Sequence, residues 1–396
     1  MKKSFKLLIL FLVSILFLSC NNAQSQYKLA CKYYEGQGIE KDYKKAFELF
    51  EKSAEQGNSD AQYKLGKMYA EGQGVGKDYK KALELFEKSA EQKNAFGQNA
   101  LGTMYENGFG VEKDYKKAVE LYRKSVEQDN AYGQNNLGLM YANGFGVEKD
   151  YKKAVELFEK LAEQDDAYGQ NSLGAMYYNG QGVAKDYKKA LELYTKSAEQ
   201  GNAYAQNNLG TIYYNGQGLE KDYKKAVEWF EKSAEQGNSD AQYGLGLMYA
   251  NGFGVEKDYK KAVELYTKSA EQGNAYAQYN LGSMYYNGQG VKMDEYKAVE
   301  LYTKSAEQGN AEFQYALGLF YLKGEGVEED YKKAVEWFEK SAEQGNADAQ
   351  YGLGAMYYDG AGVEKNKSRA ERLFRLSAEQ GNSDAEKMLK KLGIKN

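Results

Sequence analysis

Histidine and proline are missing from all 396 residues, and cysteine appears only twice. Without histidine the chain lacks the commonest general base and the commonest metal ligand, so few groups are left for catalysis or for a transition metal. The two cysteines, Cys20 and Cys31, are too few for a disulfide framework. Stability has to come from packing. There is no excess of positive charge either: 53 Lys plus Arg stand against 57 Asp plus Glu, which argues against nucleic acid as a partner. Glycine and tyrosine, by contrast, are plentiful, at 43 and 38 residues against 16 Phe and 2 Trp. Much of the hydrophobic surface therefore carries a hydroxyl, which favours a large, thin structure over one thick core.

The first residues, MKKSFKLLILFLVSILFLSC, have a basic start at Lys2, Lys3 and Lys6, then an apolar run short for a membrane span, then Ser19 and Cys20. This pattern is read as an export signal over residues 1–19. It resembles the lipoprotein class of bacterial signal peptides, in which the cysteine after the cleavage site is acylated, although Phe17 and Leu18 stand where the usual lipobox has Leu and a smaller residue. An ordinary secretory signal or an uncleaved anchor is the alternative. Asn21 resembles residues that permit sorting to the outer membrane in Gram-negative bacteria. The expectation is a chain lipidated at Cys20, with a short linker over 20–22 leading into the folded part. Removing the three lysines takes 53 basic residues to 50 against 57 acidic ones, a net charge near −7.

From residue 23 onward the chain is a tandem repeat. Gly36, Gly72, Gly108, Gly144, Gly180, Gly216, Gly252, Gly288, Gly324 and Gly360 each open a Gly-x-Gly and stand 36 residues apart. A period of this size marks a solenoid. In the second copy the spacing predicts a helix through Ser59–Ala70, with Ala61, Leu65, Met68 and Tyr69 on one side. A second helix is predicted after the N-cap Asp78, with Ala82, Leu85, Phe86 and Ala90 as its stripe. Gly66 and the alanines permit close approach of the two helices, and Gly72 and Gly74 turn the chain between them. The charges of the second helix, such as Lys80, Glu84 and Lys88, are read as a solvated face.

The run Leu-Gly-x-Met-Tyr, Gly-x-Gly-Val, Lys-Asp-Tyr-Lys-Lys-Ala and Ser-Ala-Glu-Gln-Gly-Asn resembles the Sel1-like repeat family, relatives of tetratricopeptide repeats. The resemblance covers residues 23–382 and implies an all-α, right-handed α-solenoid of ten helix-turn-helix repeats, with residues 383–396 as a C-terminal capping helix. Three copies lack the glycine that ends the second helix and have Lys93, Asp129 or Asp165 instead. A left-handed residue there predicts a weak point near Lys93. Repeat eight moves its tyrosine, reading Lys292-Met293-Asp294-Glu295-Tyr296, and the last second helix begins at Asn366.

The positions that vary between copies lie mostly on the first helix. In tetratricopeptide relatives the equivalents of Asp60, Tyr63, Lys67 and Ala70 line a concave groove. Repeats three to six place there an aromatic and an asparagine: Phe96 with Asn99, Tyr132 with Asn135, Tyr168 with Asn171, and Tyr204 with Asn207, with Asn136 and Asn208 alongside. Repeats two, seven, nine and ten carry an acid and a tyrosine instead, as in Asp60 with Tyr63 and Asp240 with Tyr243, and repeat eight mixes the two with Tyr276 and Tyr279. An asparagine amide can pair with both groups of a peptide backbone, and tyrosine adds rigid contact area. The expectation is a groove that binds a partner polypeptide. The competing reading is that these side chains only stack on neighbouring repeats.

Some relatives are described as β-lactamases or penicillin binders, and serine enzymes of that kind carry Ser-x-x-Lys with Lys-Thr-Gly. Here Ser25-Gln26-Tyr27-Lys28 has no such companion. Gly-x-Gly falls between helices rather than after a strand, so it is a turn and not a phosphate cradle. Cys31 is read as an incidental thiol. The reading is a non-enzymatic scaffold of the bacterial envelope, with no cofactor, no metal and no nucleic acid. The alternatives are a hydrolase or binder acting on β-lactams or peptidoglycan, and an effector or adhesin facing a host.

Overall fold

A computed structural model describes residues 22–394, and among these every regular element is an α-helix. The signal segment and Cys20 lie outside the described residues. Two compact units divide the chain, one ending at Gln200 and one beginning at Gly201.

In the first unit the first (A) helices are Ala23–Glu35, Ser59–Glu71, Ala95–Asn107, Ala131–Asn143 and Ala167–Asn179, alternating with second (B) helices Tyr43–Glu55, Tyr79–Glu91, Tyr115–Val126, Tyr151–Glu163 and Tyr187–Glu199. In the second unit the A helices are Ala203–Asn215, Ser239–Asn251, Ala275–Asn287, Ala311–Lys323 and Ala347–Asp359. Their B helices are Tyr223–Glu235, Tyr259–Glu271, Glu295–Ala306, Tyr331–Glu343 and Lys367–Glu379, and Ser383–Lys391 comes after them as a last helix. The fold is the all-α helical repeat that the sequence periodicity implies.

Polar caps set the helix starts. Asp78 Oδ1 accepts from the amides of Lys80 and Lys81, and Asn94 Oδ1 from Gly97, which satisfies amides a helix end leaves open. Each A helix stops at a left-handed glycine, as at Gly72 with φ 75°. Two residues on, Gly74 has φ 70°, and a Cβ there would lie 2.6 Å from the Tyr43 carbonyl oxygen of the preceding repeat. Glycine is required at that position twice over, for its φ and for its closeness to a neighbour.

Between the helices of a repeat, Ala61, Leu65, Met68 and Tyr69 are buried against Ala82 and Phe86, while Leu85 and Ala90 are half-buried. Gly66 faces the Phe86 ring, which a Cβ would approach to 2.7 Å. Burying one such ring contributes about 1.5–3 kcal/mol, so replacing Phe158, 1% exposed, with alanine costs about 3–5 kcal/mol.

Two polar spines tie the A helix of a repeat to its own B helix, in every repeat but the fourth. Ser89 Oγ donates to the Ser59 carbonyl at 2.8 Å, and Gln92 Nε2 to the buried Gln62 Oε1 at 2.7 Å. The pattern recurs in the second unit with Ser233 on Ala203 and Gln236 on Gln206. In repeat eight the displaced Tyr296 is 80% exposed, with Glu295 taking the first helical position after the N-cap Asp294.

Candidate functional site

Because an Asn or Asp cap fixes where each A helix begins, its second residue falls at the same place in every repeat. In the first unit these residues are Phe96, Tyr132 and Tyr168, and their rings form a row. Tyr63 stacks on Phe96 at 5.6 Å and 29°, Phe96 lies 6.4 Å from Tyr132, and Tyr132 lies 6.3 Å from Tyr168. The contacts are within the range of aromatic pairs, yet the rings remain 44%, 53% and 47% exposed. Leu139, on the same helix as Tyr132, is exposed as well.

The asparagines follow in part the competing reading of packing between repeats. Asn136 Nδ2 donates to Asn99 Oδ1 at 2.9 Å, and Ser172 Oγ donates to Asn135 Oδ1 at 2.9 Å. Each amide thus commits one half to the neighbouring repeat. A bound backbone would meet the Nδ2 donors of Asn99 and Asn135 and the Oδ1 acceptor of Asn136. Asn171 is half-buried. In the second unit Tyr204 is 61% exposed and Asn207 and Asn208 are half-buried. The expected side chains are therefore partly engaged in repeat packing and partly open to solvent.

Sequence reasoning missed Tyr63 as the start of the ring row, and it missed a cleft in the second unit bounded by Asn207, Tyr214, Phe230, Asp240 and Tyr243. Its signal was present in the sequence: Gly244 stands where neighbouring copies have Asn208 and Asn280.

The titration of these groups is set by burial. Burial, with a smaller contribution from Tyr132, pushes the Tyr63 phenol above its ordinary value. Burial and then the neighbouring Glu106 push Tyr122 further up, and its hydroxyl donates to Glu106 Oε2. Burial also raises the Cys31 thiol, which disfavours the thiolate that makes a cysteine reactive. These phenols stay protonated at neutral pH and act as contact area and hydrogen-bonding groups. Ser25 and Lys28 sit in Ala23–Glu35, the first half-buried and the second exposed. No described helix is long and apolar enough to cross a membrane.

The repeat register matches the family model for the Sel1 repeat ten times, over residues 23–58, 59–94, 95–130, 131–166, 167–202, 203–238, 239–274, 275–310, 311–346 and 347–382. The chain belongs to the Sel1 repeat family. Sel1 repeat proteins are in general non-enzymatic scaffolds for protein–protein interaction. Among solved structures, the chain is similar to a protective antigen present in uropathogenic Escherichia coli strains that displays an SLR fold. The two are 39% identical with a TM-score of 0.57, over 93% of this chain and 83% of the other. It is also similar to a Sel1 repeat protein from Oxalobacter formigenes, at 34% identity and a TM-score of 0.57, over 78% of this chain and 90% of that one. No curated protein matches it.

Proposed function

We propose that this Sel1 repeat protein is a scaffold whose A-helix face in the first unit binds an extended segment of a partner polypeptide in the bacterial envelope. The observation that carries this reading is the row of Phe96, Tyr132 and Tyr168. Phe96, Tyr132 and Tyr168 touch in a row across three repeats yet keep about half of their surface open, an exposed aromatic face of the kind that marks an interaction surface. Asn99, Asn135 and Asn136 supply alternating donors and an acceptor beside them. In the second unit Tyr204 and Asn207 stand at the same positions.

The test is a crosslinking capture from envelope extract, with the wild-type chain and a Phe96→Ala, Tyr132→Ala, Tyr168→Ala variant as baits, both checked by circular dichroism. The reading expects a partner held by the first and lost by the second. Equal capture by both would refute the ring row as the binding face.

Export and acylation at Cys20 complete the proposal, resting on the N-terminal sequence. A fatty-acid label that is incorporated by the wild type and absent from Cys20→Ala tests it. The likeness to a protective antigen favours display on the cell surface, and protease accessibility in whole cells decides that point.

A further inference from the structure

The cleft of the second unit has a different chemistry from the ring row. Its volume is about 280 Å³, less than the ~300–1,000 Å³ typical of drug-sized ligands, and enough for one long side chain. Gly244 opens it. Glycine inside a helix is unfavourable, and most other copies carry a side chain here, such as Lys64, Ala100, Asn136 or Ser172. A Cβ on Gly244 would come within 2.9 Å of the Phe230 ring. Its absence leaves that ring as the floor, with Tyr214 and Tyr243 as aromatic walls.

At the rim stands Asp240, exposed, with Oδ1 accepting from Asn274 Nδ2 at 2.9 Å. Its Oδ2 adds a negative charge beside three aromatic faces. The wider surface has the same sign. The A helices of the second unit carry Asp240, Glu312, Asp348 and Asp359 against the single cation Lys323. The A helices of the first unit are balanced, with Lys28, Lys32, Lys64 and Lys67 against Glu35, Asp60, Glu71 and Glu106.

We infer that this cleft receives a lysine or arginine side chain from an extended, cationic segment of a partner polypeptide. The aliphatic stem packs on Phe230 and the walls, the charged head lies against the Tyr214 and Tyr243 faces, and Asp240 pairs with it. Asn207 is also at the cleft, as is Thr211, whose hydroxyl donates to the Asn207 carbonyl at 3.0 Å and is left as an acceptor, so the two supply hydrogen bonds for the segment's backbone. The inference rests on the scaffold reading only in taking the ligand to be a polypeptide. It shares no residue with the ring row of the first unit, so either can fail alone.

The experiment is fluorescence anisotropy of the full chain with a labelled decapeptide of alternating serine and lysine, beside matched peptides carrying norleucine or glutamate. The lysine peptide is expected to bind about tenfold more tightly than the norleucine peptide and to lose about tenfold with Tyr243→Ala or Asp240→Asn, as expected of a desolvated cation–aromatic contact. Tyr296→Ala, at an exposed B-helix position outside both surfaces, leaves it unchanged. Asp240 is on the surface, so its variant stays folded even if Tyr243→Ala does not. Equal binding of lysine and norleucine peptides overturns the assignment of a cation. Lysine binding unaffected by Asp240→Asn, or no binding at all, overturns the site.

Discussion

Two sets of junctions build the same fold with glycine in different places. Where repeats two to four of the first unit hand over to the next, the turn that follows the B helix holds Lys93, Asp129 or Asp165, each with positive φ (61°, 55° and 59°). Four residues on stand Gly97, Gly133 and Gly169. At the junctions within the second unit the positive-φ residue is glycine, from Gly237 to Gly381, and Ala241, Ala277, Phe313, Ala349 and Ala385 occupy the position four later. The backbone path is shared. What differs is whether glycine relieves the left-handed turn or lets the next A helix sit against the preceding B helix. Repeats two to four favour the second and keep side chains in a strained conformation.

The closest approach should dominate. A Cβ on Gly169 would overlap the Leu161 Cβ, and Leu161 is fully buried, so Gly169→Ala is expected to destabilise by about 2–3 kcal/mol through overpacking. The reverse exchange in the second unit, Ala241→Gly, removes one methyl and some helix propensity and is expected to cost about 1 kcal/mol. Urea denaturation monitored by circular dichroism measures both. If Gly169→Ala were the milder of the two, the close approach would not be what glycine provides there.

Repeat four also interrupts both polar spines. Leu161 stands in place of the spine serine, and Gln134 is fully buried with no hydrogen-bonding partner for either its Oε1 or its Nε2 among the described residues. Its counterpart Gln242 accepts from Gln272 Nε2 at 2.8 Å. Replacing an unpaired buried amide with an apolar group of similar shape removes a desolvation cost of about 1–3 kcal/mol. Gln134→Met is therefore expected to stabilise by about 1 kcal/mol, and Gln242→Met to destabilise by about as much. Opposite signs in the same denaturation assay are the result to look for, and equal signs would mean that the two amides are equivalent.

These differences explain how much could be read in advance. The helices were legible because Asn94, Asp78 and their copies are caps with a known partner, and because Leu65, Met68 and Phe86 recur with helical spacing. The ring row was legible as a set of positions, since Phe96, Tyr132 and Tyr168 share one register. That half of each asparagine is committed to a neighbour was not, because Asn136 and Asn99 meet only through the packing of residues 37 apart. The cleft depends on a missing side chain at Gly244, and a missing side chain acquires meaning only when Phe230 is found behind it. The orphaned Gln134 has no counterpart in any motif. The glutamine itself is common to the copies, and the Leu161 that replaces the spine serine in its repeat acquires meaning only in the geometry.

A smaller effect separates the strained caps themselves. Lys93 holds a left-handed conformation that costs a side-chain-bearing residue about 1–2 kcal/mol, and glycine gives back part of that gain by loosening the unfolded chain. Lys93→Gly is expected to stabilise by about 1 kcal/mol. Asp129 gains less from the same change, because its carboxylate accepts from Lys160 Nζ at 2.8 Å. Amide hydrogen exchange around Lys93 is expected to be faster than around Gly237 or Gly273 in the wild type, and to slow in the variant. Equal rates at the three turns would show that the strain is not felt locally.

The smallest contrast lies on the B helices. In the first unit Glu192 meets one lysine, Lys196, at 2.9 Å, and its carboxyl is held below its usual range. In the second, Glu300 accepts from Lys297 at 2.8 Å and Lys304 at 2.7 Å, and these hydrogen bonds hold it at about 2 against an ordinary value of 4.5. A carboxyl whose folded value is depressed stabilises the fold above its unfolded value, and that contribution fades as pH falls from about 4.5 towards about 2. All three side chains are roughly half exposed, so solvent and salt reduce the effect to below about 0.5 kcal/mol. Wild type is therefore expected to lose slightly more stability than Glu300→Gln between about pH 5 and pH 2, and the difference should vanish in about 1 M salt. A difference that persisted in salt would mean that Glu300 contributes by hydrogen-bond geometry rather than by charge.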